Sequence, residues 1–214
     1  MIRRLLQVAR FFIVVPVVPR AMLAAFGVAT LIGSGALVMN VQHSLRAAAP
    51  VVLLQLFAAA SGFMVPARRG YYDLLLTRGG SRLAIAAMHW VMSVFPGILS
   101  WLVLAAIERM YGGTSLVAPG SLLALFVVST MPWSVTVPLP RLSGAIVWLL
   151  VFAVAGAALP GRNVSAGSLL LPWDLLGTNP HPFAAAIAVT CITAGMAGAF
   201  VGIDRMDVPL ESGQ

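Results

Sequence analysis

Few side chains in this 214-residue chain are able to do chemistry. It holds six acids, three histidines, one cysteine and thirteen basic residues, and every basic residue is arginine. Without lysine, neither a complete P-loop nor a Schiff-base enzyme is possible. A six-span intramembrane protease would need a Gly-x-Ser-Gly turn. Ser34-Gly35 has Ile32 at the glycine position, and Ser61-Gly62 has Ala59. His43, His181 and Asp174 lack the spacing of metal ligands. Cys191 cannot form an internal disulfide and reads as a small packing residue. Ionisable groups inside apolar segments are functional candidates. Here that means His89, followed by Trp90, which would relay a proton, contact substrate or bond a neighbouring helix. Glu108 and Arg109 close the same segment, where solvent or nearby groups pair them. No catalytic set, metal set or cofactor motif emerges, so the chain is expected not to be an enzyme and to carry no cofactor of its own.

The rest of the chain is the surrounding these residues must sit in. It is 60% hydrophobic and 9% charged, against about 25% charged in an ordinary soluble domain. One small core cannot hide so much apolar surface, and disorder is excluded by the same hydrophobicity. Nucleic acid is excluded as a partner because the arginines lack a polar surface to occupy. A polytopic, all-α membrane protein remains. Crossing a hydrocarbon layer of roughly 30 Å takes about 20 helical residues. The non-alternating apolar runs predict six spans, at about 21–41, 47–65, 83–107, 116–137, 142–159 and 183–203. Pro96-Gly97 and Pro132 are expected to kink the third and fourth. Gly27, Gly33, Gly35, Gly195, Gly198 and Gly202 suit close helix packing, within the subunit or between copies. No repeat or linker divides the chain, so one domain is expected.

Arginine placement sets the orientation. With both termini cytoplasmic, Arg3, Arg4, Arg10, Arg20, Arg68, Arg69, Arg78, Arg82, Arg141 and Arg205 lie inside, and Arg46, Arg109 and Arg162 outside. The net charge of +7 is therefore mostly a topology signal. Residues 1–20 make a poor span. Arg3, Arg4, Gln7 and Arg10 fall within one arc of about 120° on a helical wheel, and Pro16 and Pro19 follow. An interfacial helix anchored to anionic lipid by Arg3, Arg4 and Arg10 is expected. The competing reading is an uncleaved signal peptide.

The most polar internal segment is the cytoplasmic connection 66–82, PARRGYYDLLLTRGGSR. Asp73 suits the start of a short amphipathic helix, Leu74, Leu75 and Leu76 give it apolar contacts, and Gly79-Gly80 ends it. A short exposed helix suits docking to a soluble partner. A plain basic loop, set only by topology, is the alternative.

GYYDLLLTRGGSR resembles the cytoplasmic coupling loop of ABC exporter membrane domains of the type-two class. That pattern runs Gly, acid, two apolar positions, Pro, Arg. Gly70, Asp73, Leu75, Leu76 and Arg82 fall on it without a gap. Asp73 replaces the usual Glu, Gly79 the usual Pro, and His89 a common lysine. The match extends from Gly70 to Arg82, or to His89 when that position is counted. The interfacial helix and the six spans extend it architecturally, as does the apolar piece around Trp173 in the outside connection 160–182, which is similar to a re-entrant helix; a loop that only packs on the bundle is the alternative for that piece.

The resemblance implies a permease subunit that forms the export pathway with a second copy or a homologous permease subunit. It would sit in the bacterial inner membrane among its lipids. Separate ATP-binding cassette subunits, carrying the ATP and Mg, would dock on Gly70, Asp73, Leu75, Leu76, Arg78 and Arg82. A secondary transporter and a non-transport scaffold or assembly protein are the rival readings. The first would place acids or broken helices at the bilayer midplane, and no acidic residue lies inside a predicted span away from its ends. Cysteines introduced at positions 71 and 113 test the topology in intact cells. An impermeant thiol reagent is expected to label 113 and spare 71, and the reverse pattern would overturn the orientation.

Overall fold

The structure is a computed structural model that describes residues 18–40, 44–62, 82–136 and 182–205. Among the described residues every regular element is an α-helix and no strand occurs. In chain order these are α1 (Arg20–Met39), α2 (Ser44–Gly62), α3 (Arg82–Met110), α4 (Pro119–Thr136) and α5 (Pro182–Arg205). They coincide with five of the expected spans. The expected span 142–159, the interfacial helix up to residue 17, the connection up to residue 81 and the re-entrant segment 160–181 lie outside the described residues.

Two segments are long and apolar enough to cross a membrane, Arg20–Met39 and Leu83–Met110. The apolar parts of α2 and α4, Ser44–Ala59 and Pro119–Pro132, are shorter. At 1.5 Å per residue the 29 residues of α3 reach about 43 Å. Pro50, Pro96 and Pro132 lie inside α2, α3 and α4, and each helix is continuous past its proline. Pro119 and Pro182 open α4 and α5, the positions where a missing N–H costs nothing.

α2 packs against α1, α3 and α4, α1 also against α3, and α4 most extensively against α5. α3 and α4 adjoin in sequence yet barely touch, because α2 lies between them. The α1 residues that turn inward are Phe26, Ala29, Gly33 and Leu37, one stripe at helical spacing. Gly33 is the crossing point. A Cβ there would lie 2.8 Å from the Ala47 carbonyl oxygen and 3.1 Å from Leu104 Cδ2, so three helices converge on a position only glycine fits. Register follows from such pairs. Leu23 to Thr30 share a groove with Phe95 to Val103, and Gly33 meets Leu104, so α1 and α3 are parallel. Ala47 lies at the Gly33 level and Gln55 at the Ser93–Gly97 level, so α2 runs antiparallel to both.

The buried core is mainly apolar but also encloses several polar side chains, and large apolar side chains lie on the outside. Gln55, His89, Ser93, Glu108, Ser121, Ser129 and Thr130 are buried. Leu31 is 75% exposed, Ile32 62%, Leu102 58% and Phe95 57%. The exposed arginines Arg20, Arg46 and Arg109 stand at helix ends. Large apolar side chains are exposed on several helix faces, an arrangement that a hydrocarbon surrounding would favour. Hydroxyls inside the helices bond back to their own backbone, as Ser34 Oγ to Thr30 O (2.7 Å) and Ser129 Oγ to Leu125 O (2.7 Å).

α3 ends in a Schellman turn. Gly112 takes φ +81°, its N–H donates to the Arg109 carbonyl (3.1 Å), and the Gly113 N–H donates to the Glu108 carbonyl (3.0 Å). A Cβ on Gly113 would lie 2.5 Å from Glu108 Cγ, so the outside topology reporter belongs at exposed Thr114 rather than at 113. Gly27, by contrast, has open space where a side chain would be. Gly33→Ala is therefore expected to destabilise by about 1–3 kcal/mol through overpacking. Gly27→Ala is expected to be neutral or to stabilise by up to about 1 kcal/mol. Unfolding of each variant in detergent checks the contrast, and equal effects would remove Gly33 as the crossing point.

Candidate functional site

The most unusual polar group in the bundle is the Gln55 side chain. It stands in the apolar run of α2 with no exposure to solvent. An amide in such surroundings must find partners within the protein. Gln55 Nε2 donates to the Ser93 carbonyl across the α2–α3 interface, at 3.3 Å. Pro96 lies one turn further on; its missing N–H leaves the neighbouring Met92 carbonyl, not that of Ser93, without its helical donor, so the Gln55 bond to Ser93 uses that oxygen's second lone pair. Ser93 Oγ in turn donates to the Trp90 carbonyl at 2.8 Å.

Gly97 completes the seat. A Cβ on it would fall on the Gln55 amide, with Cδ 2.7 Å away. The hydrogen that replaces that Cβ faces Gln55 Oε1, a weak C–H···O contact. Among the described residues Oε1 has no hydrogen-bond donor of the ordinary kind. Gln55, Ser93, Pro96 and Gly97 thus form one locus where a polar side chain of α2 is fitted to the proline turn of α3.

Toward the start of α3 the locus continues into His89 and Trp90. His89 is fully buried. Trp90 is half-buried, and its enclosed indole N–H has no hydrogen-bond acceptor among the described residues. Both lie one turn before Ser93, so the two sequence-chosen pathway candidates share a helix segment with the Gln55 locus. Arg20 and Trp90 are also close in level. Counting from the Gly33–Leu104 meeting point, Arg20 matches the region of Val91.

A second polar device closes the other end of α3. Glu108 has no exposure. Its Oε1 accepts the Ser115 N–H at 2.9 Å and its Oε2 the Leu116 N–H at 2.8 Å. Trp101 Nε1 donates to the Leu116 carbonyl at 3.0 Å, and Ser121 Oγ to the Ser115 carbonyl at 2.6 Å. The connection between α3 and α4 is therefore held from both sides. Glu108 differs from the expectation of an acid paired at the surface: its carboxylate turns inward because the adjoining turn offers two backbone donors. Arg109 is exposed, as a residue at a helix end should be.

Arg82 is the first residue of α3. The other expected docking residues, Gly70, Asp73, Leu75, Leu76 and Arg78, and the expected anchors Arg3, Arg4 and Arg10, lie outside the described residues. Among the described residues no group of His, Cys, Asp or Glu is assembled to hold a metal. The chemistry available in the two loci is hydrogen bonding, and its effect is to hold helices at defined positions. Sequence reasoning passed over Gln55, although an amide inside an apolar run was a usable signal.

Comparison with protein families, with characterised proteins and with solved structures finds no match to this chain. The functional reading rests on the residues themselves.

Gly97→Ala is expected to destabilise the bundle by about 1–3 kcal/mol, because the new methyl group collides with the Gln55 amide. In a Gln55→Ala background the same change should cost much less, with a coupling of at least about 0.5 kcal/mol. A double-mutant cycle on unfolding in detergent measures it, and strict additivity would mean that the two residues do not share a seat.

Proposed function

We propose that this chain is the membrane-spanning permease subunit of an ATP-driven exporter. It has six spans in the bacterial inner membrane, both ends in the cytoplasm, and works as a pair with a second copy or a related permease subunit. ATP binding and hydrolysis belong to separate cassette subunits that dock on Asp73, Leu75, Leu76, Arg78 and Arg82 of the connection between α2 and α3.

One observation carries the reading. The connection bearing the Gly70–Arg82 pattern leaves from one end of a helical bundle that exposes large apolar side chains. At that end, among the described residues, α3 extends beyond α1. From the Gly33–Leu104 meeting point, α1 continues back to Arg20 and α3 continues further, back to Arg82. The excess on α3 is about nine residues, or about 14 Å at 1.5 Å per residue. A helix extending past the level of Arg20, with the short amphipathic helix expected from the sequence before it, would be a suitable receptor for a soluble motor subunit. The apolar exterior supports the membrane setting, and the lack of lysine supports placing ATP chemistry on another chain.

The rival carrier reading calls for a buried acid poised to bind an ion or proton. Glu108 is buried, but both of its oxygens are engaged by backbone amides in the turn, which favours a structural role for it.

Replacing Leu75 and Leu76 together by glutamate should abolish co-purification of a Walker-motif ATPase with the tagged chain while leaving the chain in the membrane fraction. Loss would be expected to exceed tenfold, since two buried apolar contacts of a docking helix are removed. Retention of the ATPase by the double variant would overturn the docking assignment. Absence of any such ATPase from the unaltered chain's preparation would overturn the exporter reading itself.

A further inference from the structure

At the opposite end of the bundle from the docking connection, α1 and α2 are separated by a groove of about 350 Å³. Its walls are Ile32, Ala36 and Met39 of α1 and Ala47 and Pro50 of α2, with Asn40 and Arg46 at the mouth. Gly33 also lines it, at the level where a Cβ would lie 2.8 Å from the Ala47 carbonyl oxygen. We propose that this groove binds one anionic phospholipid, its phosphate on Arg46 and an acyl chain along the apolar wall. The proposal rests on the membrane-spanning reading but not on the exporter reading.

Three features select this occupant. The wall is hydrocarbon apart from the mouth, and a water-filled groove would need polar partners that the wall lacks. Ile32 and Met39 are largely exposed, so the groove opens sideways, toward lipid in the membrane reading. Charge selects the headgroup. Arg46 is exposed in the first turn of α2, a turn without an acidic residue, where the helix dipole adds to the positive charge rather than offsetting it. Glu108, the described acid at this end, already accepts two backbone N–H groups through its two oxygens. A cation beside an apolar groove matches a ligand with an anionic head and an apolar tail. Arginine suits phosphate in particular, because its planar fork presents two donors to two oxygens.

The test uses the purified full chain in mild detergent, titrated with phosphatidylglycerol and with phosphatidylcholine of identical chains, bound lipid being read by native mass spectrometry. Phosphatidylglycerol is expected to be retained about fivefold more strongly, from one basic side chain at the headgroup. Arg46→Gln should remove that preference and leave the chain-dependent part. Ala36→Trp, at an exposed position, should fill the groove and weaken both lipids together.

Equal retention of the two lipids, or a preference that survives Arg46→Gln, would overturn the proposal. So would displacement of the lipid by inorganic phosphate at equal concentration, which would make this an anion site without a chain. Recovery of the chain in the soluble fraction without detergent would instead overturn the membrane reading. Absence of an ATPase would leave the lipid result standing.

Discussion

The structure depends most on how the buried amide of Gln55 is seated against α3. A polar group buried among apolar side chains has no water to bond and must find its partner within the protein. Gln55 reaches across from α2 to the carbonyl of Ser93, one turn before Pro96. Without that acceptor the amide nitrogen buried in α2 would be unsatisfied. The bond fixes the axial register of α2 against α3, and Gly97 fixes how closely the two approach.

α1 joins the pair by steric rather than polar means. Gly33 lets the Ala47 backbone and the Leu104 side chain meet at one level, which sets α1 parallel to α3 and brings their ends near Met39 and Met110 together. This is the packing expected when association cannot draw on the hydrophobic effect, since lipid tails are as apolar as leucine. The same physics accounts for the exterior. Leu31 and Ile32 project outward, as an apolar surrounding would favour, while the buried Gln55 and Glu108 each find hydrogen-bond partners inside the protein.

The helices were the legible part of the fold. Long apolar runs without alternation read as helices, and the five helices described fall on such runs, two of them long and apolar enough to cross a membrane. The loci were harder to read. Gln55 is one amide in a sequence of apolar residues, and nothing local says that the turn before Pro96, far along the chain, supplies its acceptor. Glu108 resembled a surface acid because it ends an apolar run beside Arg109. Its burial follows from the Schellman turn at Gly112 and Gly113, which folds the chain back so that the Ser115 and Leu116 amides face the carboxylate. Periodicity was silent as well, since a helix apolar on both its packed and its lipid faces shows no polar side. The expected docking residues from Gly70 to Arg78 lie outside the described residues, so their role rests on pattern and on their place between α2 and α3.

Among the described residues the bundle is braced unevenly along its length. At the end where α3 meets α4, a buried acid, an indole and a glycine turn hold the connection, and the Gly33 crossing brings three helices together. At the other end the described part of α3 extends about 14 Å beyond that of α1, and Pro96, which removes one N–H from the ladder, lies between this stretch and the braced part. A bend at Pro96 would be opposed by the Gln55–Ser93 bond and by the close seat at Gly97, both of which tie α2 to the same turn. The place where the α3 backbone loses a hydrogen bond is therefore the place where α2 grips it, and the two ends of α3 are coupled through α2.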